Sequence, residues 1–218
     1  ERGNHTWTPV PQVIDALDGC FYHAFGNVEP TGKNIFIGVD VSGSMSSQCA
    51  GTPMSCCEGA TAMALVTAHV EPNYVICAFD QGLRELPISK KTRLDDALRH
   101  TRNINGGGTD CDLPMLAALE KKVPVHAFLV ITDSETWAGA THPCTALQQY
   151  RNKMGIPAKL IVVGMTSSGF SIADPADGGM MDVVGFDEAT PGLISDFSST
   201  ELPRAVANAD VVIMFDFG

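Results

Sequence analysis

Short apolar runs that stop at an aspartate, separated by helix-like stretches, restrict this chain more than any other feature. Phe36-Ile37-Gly38-Val39 follows the turn-like Thr31-Gly32-Lys33 and ends at Asp40, and residues 127–131 end in Thr132-Asp133. Continuous apolar runs of this length suit strands buried on both faces better than surface helices. Alternated with helices, such strands make a parallel sheet with right-handed crossovers, covered on both sides. The predicted class is α/β with a mostly parallel central sheet.

The rest of the chain fits this plan. Val13, Ile14, Leu17, Phe21 and Phe25 recur at helical spacing from Pro11, a residue suited to a first turn. That helix is expected to pack on the domain or to link it to something upstream. Further helices are expected over 54–70, ended by Asn73, and over 92–103, 114–121, 142–154 and 191–197. Strands are expected over 74–79, 159–163 and 181–184, with a short one over 82–88 that Pro87 marks as an edge. A long loop covers 164–179. The apolar run 209–217 is strand-like, an edge strand or a contact surface. With 218 residues there is room for one well-filled domain. The expected division is a lead-in and linker helix over 1–33, the α/β domain over 34–198 and a tail over 199–218.

A net charge of −11 repels phosphate backbones on average. The small basic groups, Lys90-Lys91 with Arg93, Arg99 with Arg102, and Lys121-Lys122, read as solvated faces. Seven cysteines, an odd number without C-x-x-C spacing, are most simply reduced thiols in a reducing compartment. No apolar stretch reaches the length of a membrane span, so no membrane partner is expected. The chain begins at Glu1 and is open to being a piece of something longer.

The chemistry concentrates where the first strand ends. Ligands of open α/β sheets bind beyond the carboxyl ends of the strands. Asp40, Ser42 and Ser44 place three oxygen side chains at spacings of two around Gly43, enough to curl round one small cation. Oxygen ligands favour a hard ion such as Mg²⁺, held at roughly 2.0 to 2.1 Å with some water retained. Taken alone, the same residues also describe a strand-to-helix turn with serine caps. Asp133 would lie beside Asp40 if their strands are neighbours, and the Gly106-Gly107-Gly108 loop would carry Thr109 over the same crevice. Two carboxylates and three hydroxyls fit Mg²⁺ or Mn²⁺. Neutral hydroxyl ligands leave the ion electrophilic, so that a partner's acidic group can complete its shell. This is a binding device rather than a catalytic one.

Asp40-Val41-Ser42-Gly43-Ser44, Thr109 and Asp133 resemble the metal-ion-dependent adhesion site of von Willebrand factor type A domains, which have a Rossmann-like fold. The resemblance implies that Ser42, Ser44 and often Thr109 touch the metal directly, with Asp40 and Asp133 commonly acting through water. Residues 106–115, 131–143 and 150–187 further resemble the C-terminal A domain of the Ro autoantigen family, and the similarity runs from about residue 11 to 198. In that family a ring of helical repeats precedes this domain, and the intact protein binds Y RNAs and the ends of misfolded non-coding RNAs. The resemblance implies RNA binding through that ring, which this sequence lacks. It leaves to the present domain a protein ligand offering an acidic side chain to the metal, and it implies a cytoplasmic or also nuclear location.

No enzyme is expected. A phosphatase reading lacks a second acid at position 42, Ser44 has no G-x-S-x-G elbow, and the glycine run lacks the dinucleotide-binding form. The alternatives are an extracellular adhesion A domain and the A domain of the telomerase- and vault-associated protein. Among single residues, His142 is expected to cap a helix or border the site, and Glu135 and Trp137 to shape the ligand face or pack. Asp110 and Asp112 are expected to cap the next helix, and Met63, Met115 and Met165 to fill the core.

Overall fold

A computed structural model describes residues 8–49, 51–104, 106–133, 138–166, 172–185, 187 and 189–201. Six strands form one sheet: β1 (Asn34–Asp40), β2 (Asn73–Phe79), β3 (Leu83–Glu85), β4 (Ala127–Thr132), β5 (Lys159–Gly164) and β6 (Met180–Val184). Their spatial order is β3-β2-β1-β4-β5-β6. All pairs are parallel except β2 with β3, which returns antiparallel along the edge that Pro87 closes. Since β1 sits between β2 and β4, the strand order reverses there, and a crevice opens at the carboxyl ends of β1 and β4.

The helices are α1 (Pro11–Ala24), α2 (Cys56–Val70), α3 (Leu94–Arg102), α4 (Leu113–Glu120), α5 (Pro143–Met154) and α6 (Thr190–Ser199). Alternate strand residues serve opposite faces. Ile35, Ile37, Val39, Leu129, Ile131, Ile161 and Val163 pack with α2, α3 and α6, while Phe36, Phe128, Val130, Leu160 and Val162 pack with α4 and α5. Met63 and Met165 fill the first core and Met115 the second, as expected. On the second face Tyr150 is fully buried, edge-on to Phe128 at 5.0 Å. Its hydroxyl accepts from Val125 N and donates to Val123 O, both at 2.7 Å, tying α5 to the chain entering β4.

Local chemistry moves several boundaries. The second helix begins at Cys56 rather than Met54 because Ser55 and Glu58 form a capping box, with Ser55 N to Glu58 Oε2 at 2.8 Å and Glu58 N to Ser55 Oγ at 3.2 Å. It ends at Val70, and Asn73 opens β2 instead of closing the helix. His142 caps α5 by accepting Cys144 N at 3.3 Å, and Gly155 closes that helix at φ +67°. Asp112 stands at the N-cap of α4, but its side chain makes no capping bond, so the capping role expected for it is corrected. Among the described residues α1 docks by its C-terminal half, where Phe21 and Tyr22 reach the core, the Tyr22 hydroxyl accepts Leu94 N at 2.8 Å and Asp18 pairs with Arg93 at 3.0 Å; Val13, Ile14 and Leu17 are exposed. The expectations for Glu135, Trp137 and residues 209–217 fall outside the described residues.

Candidate metal centre

Asp40 is the last residue of β1 and is fully buried. Its Oδ1 accepts Ser42 N at 2.7 Å and its Oδ2 accepts the Thr132 hydroxyl at 2.6 Å. Burial raises its carboxyl to about 6, against the pull of these donors, and the nearby Asp133 carboxylate raises it further. The Ser42 and Ser44 hydroxyls stand 3.2 Å apart on the turn of 3₁₀ helix over Gly43–Ser46.

Asp133 follows β4, the strand paired with β1, so the two strand-end aspartates share one end of adjacent strands as expected. Asp133 Oδ1 is buried and, among the described residues, has no hydrogen-bond partner. A desolvated, unpartnered carboxylate oxygen costs stability unless something positive meets it. Hence a cation fits this donor set on the structure's own terms.

Thr109 is buried beyond the glycine loop, and its carbonyl accepts Ala138 N at 2.8 Å. The loop crosses the crevice in contact with the turn after β1. Gly43 N donates to Gly107 O at 3.2 Å, and a Cβ on Gly106 would lie 1.7 Å from Val41 O, a distance that admits only glycine. All five residues expected at the site therefore stand on three segments at one end of the sheet: Asp40 at the end of β1 with Ser42 and Ser44 just after it, Thr109 after the glycines, and Asp133 after β4.

Two neighbours were missed in the sequence. Thr132 orients Asp40, and its signal was its place between an apolar run and Asp133. Asp80 follows β2 as Asp40 and Asp133 end their strands, a third instance of the same pattern. Its Oδ1 accepts Gly82 N at 2.9 Å, and its Oδ2 accepts Arg84 Nη2 at 3.0 Å and Gly107 N at 3.2 Å. Burial alone would raise the Asp80 carboxyl, but the Arg84 guanidinium and the two amides outweigh it and hold it below the usual range.

The nearby thiols are poor ligands. Burial first, with Cys49 and Asp133 adding, pushes Cys56 up to about 11, and burial also raises Cys57. Among the described residues no group of three or more His, Cys, Asp or Glu side chains gathers to hold a metal. What remains is the mixed carboxylate and hydroxyl set. Behind it, Asp110 and Asp112 are both buried; Asp110 Oδ1 accepts Asp112 N at 3.3 Å, and burial followed by the Asp110 carboxylate raises Asp112.

This sheet order, with the oxygen-bearing turn at the switch point, defines an α/β domain of the von Willebrand factor A class. The family described as the Ro60 vWA domain matches residues 34–198, and the chain belongs to that family. The RNA-binding protein RO60 of Deinococcus radiodurans is 44% identical over 203 residues, covering 92% of this chain and 38% of that protein. Its namesake in Caenorhabditis elegans is 42% identical over 198 residues, covering 90% of this chain and 31% of its own length. The crystal structure of the Deinococcus radiodurans Ro protein superposes with a TM-score of 0.80 at 44% identity, covering 91% of this chain and 40% of that one. This chain thus spans between 31% and 40% of the relatives it matches.

Proposed function

We propose that this domain is a divalent-metal-dependent ligand-binding module of a Ro-type RNA-binding protein. Asp40, Ser42, Ser44, Thr109 and Asp133 would hold one Mg²⁺ or Mn²⁺, and a carboxylate from a protein partner would complete its shell. The observation that carries this reading is the buried, unpartnered Asp133 Oδ1 beside the strand bearing the buried Asp40. An ion placed there relieves both carboxylates and leaves the serine hydroxyls as neutral ligands, so its remaining charge faces the partner.

RNA recognition, including Y RNAs and misfolded non-coding RNAs, is assigned to the larger protein through helical repeats outside this chain. A net charge of −11 supports that division, since an acidic domain makes a poor general phosphate binder. The domain is read as 34–198, preceded by a linker segment over 1–33 and followed by a tail over 199–218. It is read as a non-enzyme working in the cytoplasm or nucleus. No disulfide joins any of the seven cysteines, which supports a reducing compartment over an extracellular adhesion role. No described helix is long and apolar enough to cross a membrane.

The test is isothermal titration of the metal-stripped chain with Mg²⁺ and with Mn²⁺, beside Asp40→Asn and Ser42→Ala. One ion bound per chain, lost in both variants, is expected. Equal binding by wild type and variants places the ion elsewhere and ends the assignment.

A further inference from the structure

Resting on the metal reading, we infer that Asp80 is a positioning residue for the ion, one that fastens the glycine loop and thereby sets where Thr109 stands. Asp80 lies at the same end of the sheet as Asp40, because Asp40 pairs with Phe79 across β1 and β2. It grips the loop on both sides of Thr109. Its Oδ2 accepts Gly107 N at 3.2 Å, two residues before, and its backbone carbonyl accepts Asp110 N at 3.0 Å, one residue after. The grip is itself braced by Gly82 N and by the Arg84 guanidinium, which reaches back from the edge strand to pair with it at 3.0 Å.

The loop so held is not free to stand elsewhere. Gly107 O accepts Gly43 N at 3.2 Å, joining it to the turn that carries Ser42 and Ser44, and the Gln81 side chain flanks Gly107 and Gly108. Thr109 comes from a segment with no strand of its own to fix it, unlike Asp40 and Asp133. Beside the bond from Ala138 N to Thr109 O at 2.8 Å, Asp80 adds fixation from the β2 side, and with it helps set one hydroxyl donor against the other two. Its carboxylate, on a side chain 7% exposed and already committed to three donors, is a clamp rather than a further ligand.

Asp80→Asn is the direct perturbation. The amide oxygen can still accept Gly82 N, but the amide nitrogen then faces the Gly107 amide and the Arg84 guanidinium, donors opposite donors. Mg²⁺ titration of the metal-stripped 218-residue chain is compared for wild type, Asp80→Asn, Thr109→Ala and the double variant. Asp80→Asn should bind Mg²⁺ roughly tenfold more weakly, yet should change affinity less than about twofold when Thr109 is already alanine. Equal weakening in both backgrounds would mean that Asp80 acts on the ion through its charge, and would overturn the proposal. So would unchanged affinity in a folded Asp80→Asn.

Arg84→Gln serves if Asp80→Asn does not fold. Removing a positive charge strengthens cation binding by simple electrostatics, whereas loosening the clamp weakens it. Weaker Mg²⁺ binding by Arg84→Gln is expected, and tighter binding overturns the proposal. Failure of the wild type to bind Mg²⁺ sinks the metal site and this inference with it, and is told apart from failure of the clamp alone, in which the wild type binds and Asp80→Asn binds as well.

Discussion

Replacing Asp40 by asparagine should stabilise the metal-free domain at neutral pH while abolishing its response to Mg²⁺. The Asp40 carboxyl is raised from 3.8 to about 6 in the fold, chiefly by burial. A folded-state value above the unfolded one means that the fold holds the proton longer. The associated stability is full below the unfolded value and is lost as the pH rises through about 6. A shift of about two units at roughly 1.36 kcal/mol each means that the ionised group costs the metal-free fold about 3 kcal/mol. Asparagine fits the same site, with its oxygen accepting Ser42 N and its nitrogen donating to the Thr132 hydroxyl, the two partners of the native carboxylate. The Thr132 proton then loses its acceptor, which returns about 1 kcal/mol, leaving a net gain of roughly 2 kcal/mol. Urea unfolding in chelator at about pH 7.5 measures it, and most of the gain should vanish near about pH 4.5, where native Asp40 is largely protonated. Mg²⁺ at a hundred times its dissociation constant should stabilise the wild type by about 2.7 kcal/mol and the variant not at all. An asparagine variant less stable than wild type in chelator at neutral pH would refute this account of Asp40.

Two further outcomes follow from contacts elsewhere. Gly106→Ala has no room for its methyl group against Val41 O, so the loop must move; Mg²⁺ affinity by titration should fall by at least about tenfold while the far-ultraviolet circular dichroism stays native. Tyr150→Phe removes the acceptor of Val125 N and the donor to Val123 O in a fully buried setting, and urea unfolding should register a loss of about 1 to 3 kcal/mol with Mg²⁺ affinity unchanged.

The sheet was legible because β1, β4 and β5 are buried on both faces, and strands so placed write themselves as unbroken apolar runs. Asp40, Ser42 and Ser44 were legible because they lie within one five-residue stretch that turns, which brings them together whatever the rest of the chain does. Thr109 and Asp133 depended on strand order, which the alternation of helices and strands restricted to few choices. Asp80 was harder to see, since its partners Gly107 and Arg84 lie on a distant loop and on an edge hairpin, and nothing local distinguishes a clamp from a turn residue. Helix boundaries moved where capping decided them, as at Ser55. The apolar spacing of α1 left open whether the helix packs on the domain or links it to something upstream, because periodicity gives a face and not its partner; Phe21 and Tyr22 are the part of that face that meets the core.

Lys159 is buried at the start of β5, and its ammonium donates to the carbonyls of Phe197 and Thr200 at the end of α6 while lying 4.9 Å from the centre of the Phe197 ring. Burial, with nearby Lys33 adding, lowers its affinity for a proton. Lys33 precedes β1, so the points where the chain enters the sheet at 34 and leaves α6 at 200 meet at one pole. The oxygen-lined crevice occupies the other. A domain tethered twice at its base behaves like a hand on a single wrist: a fusion or a surface attachment made at either tether leaves the crevice facing solution, and a pull applied through both loads the Lys159 junction before it reaches the crevice.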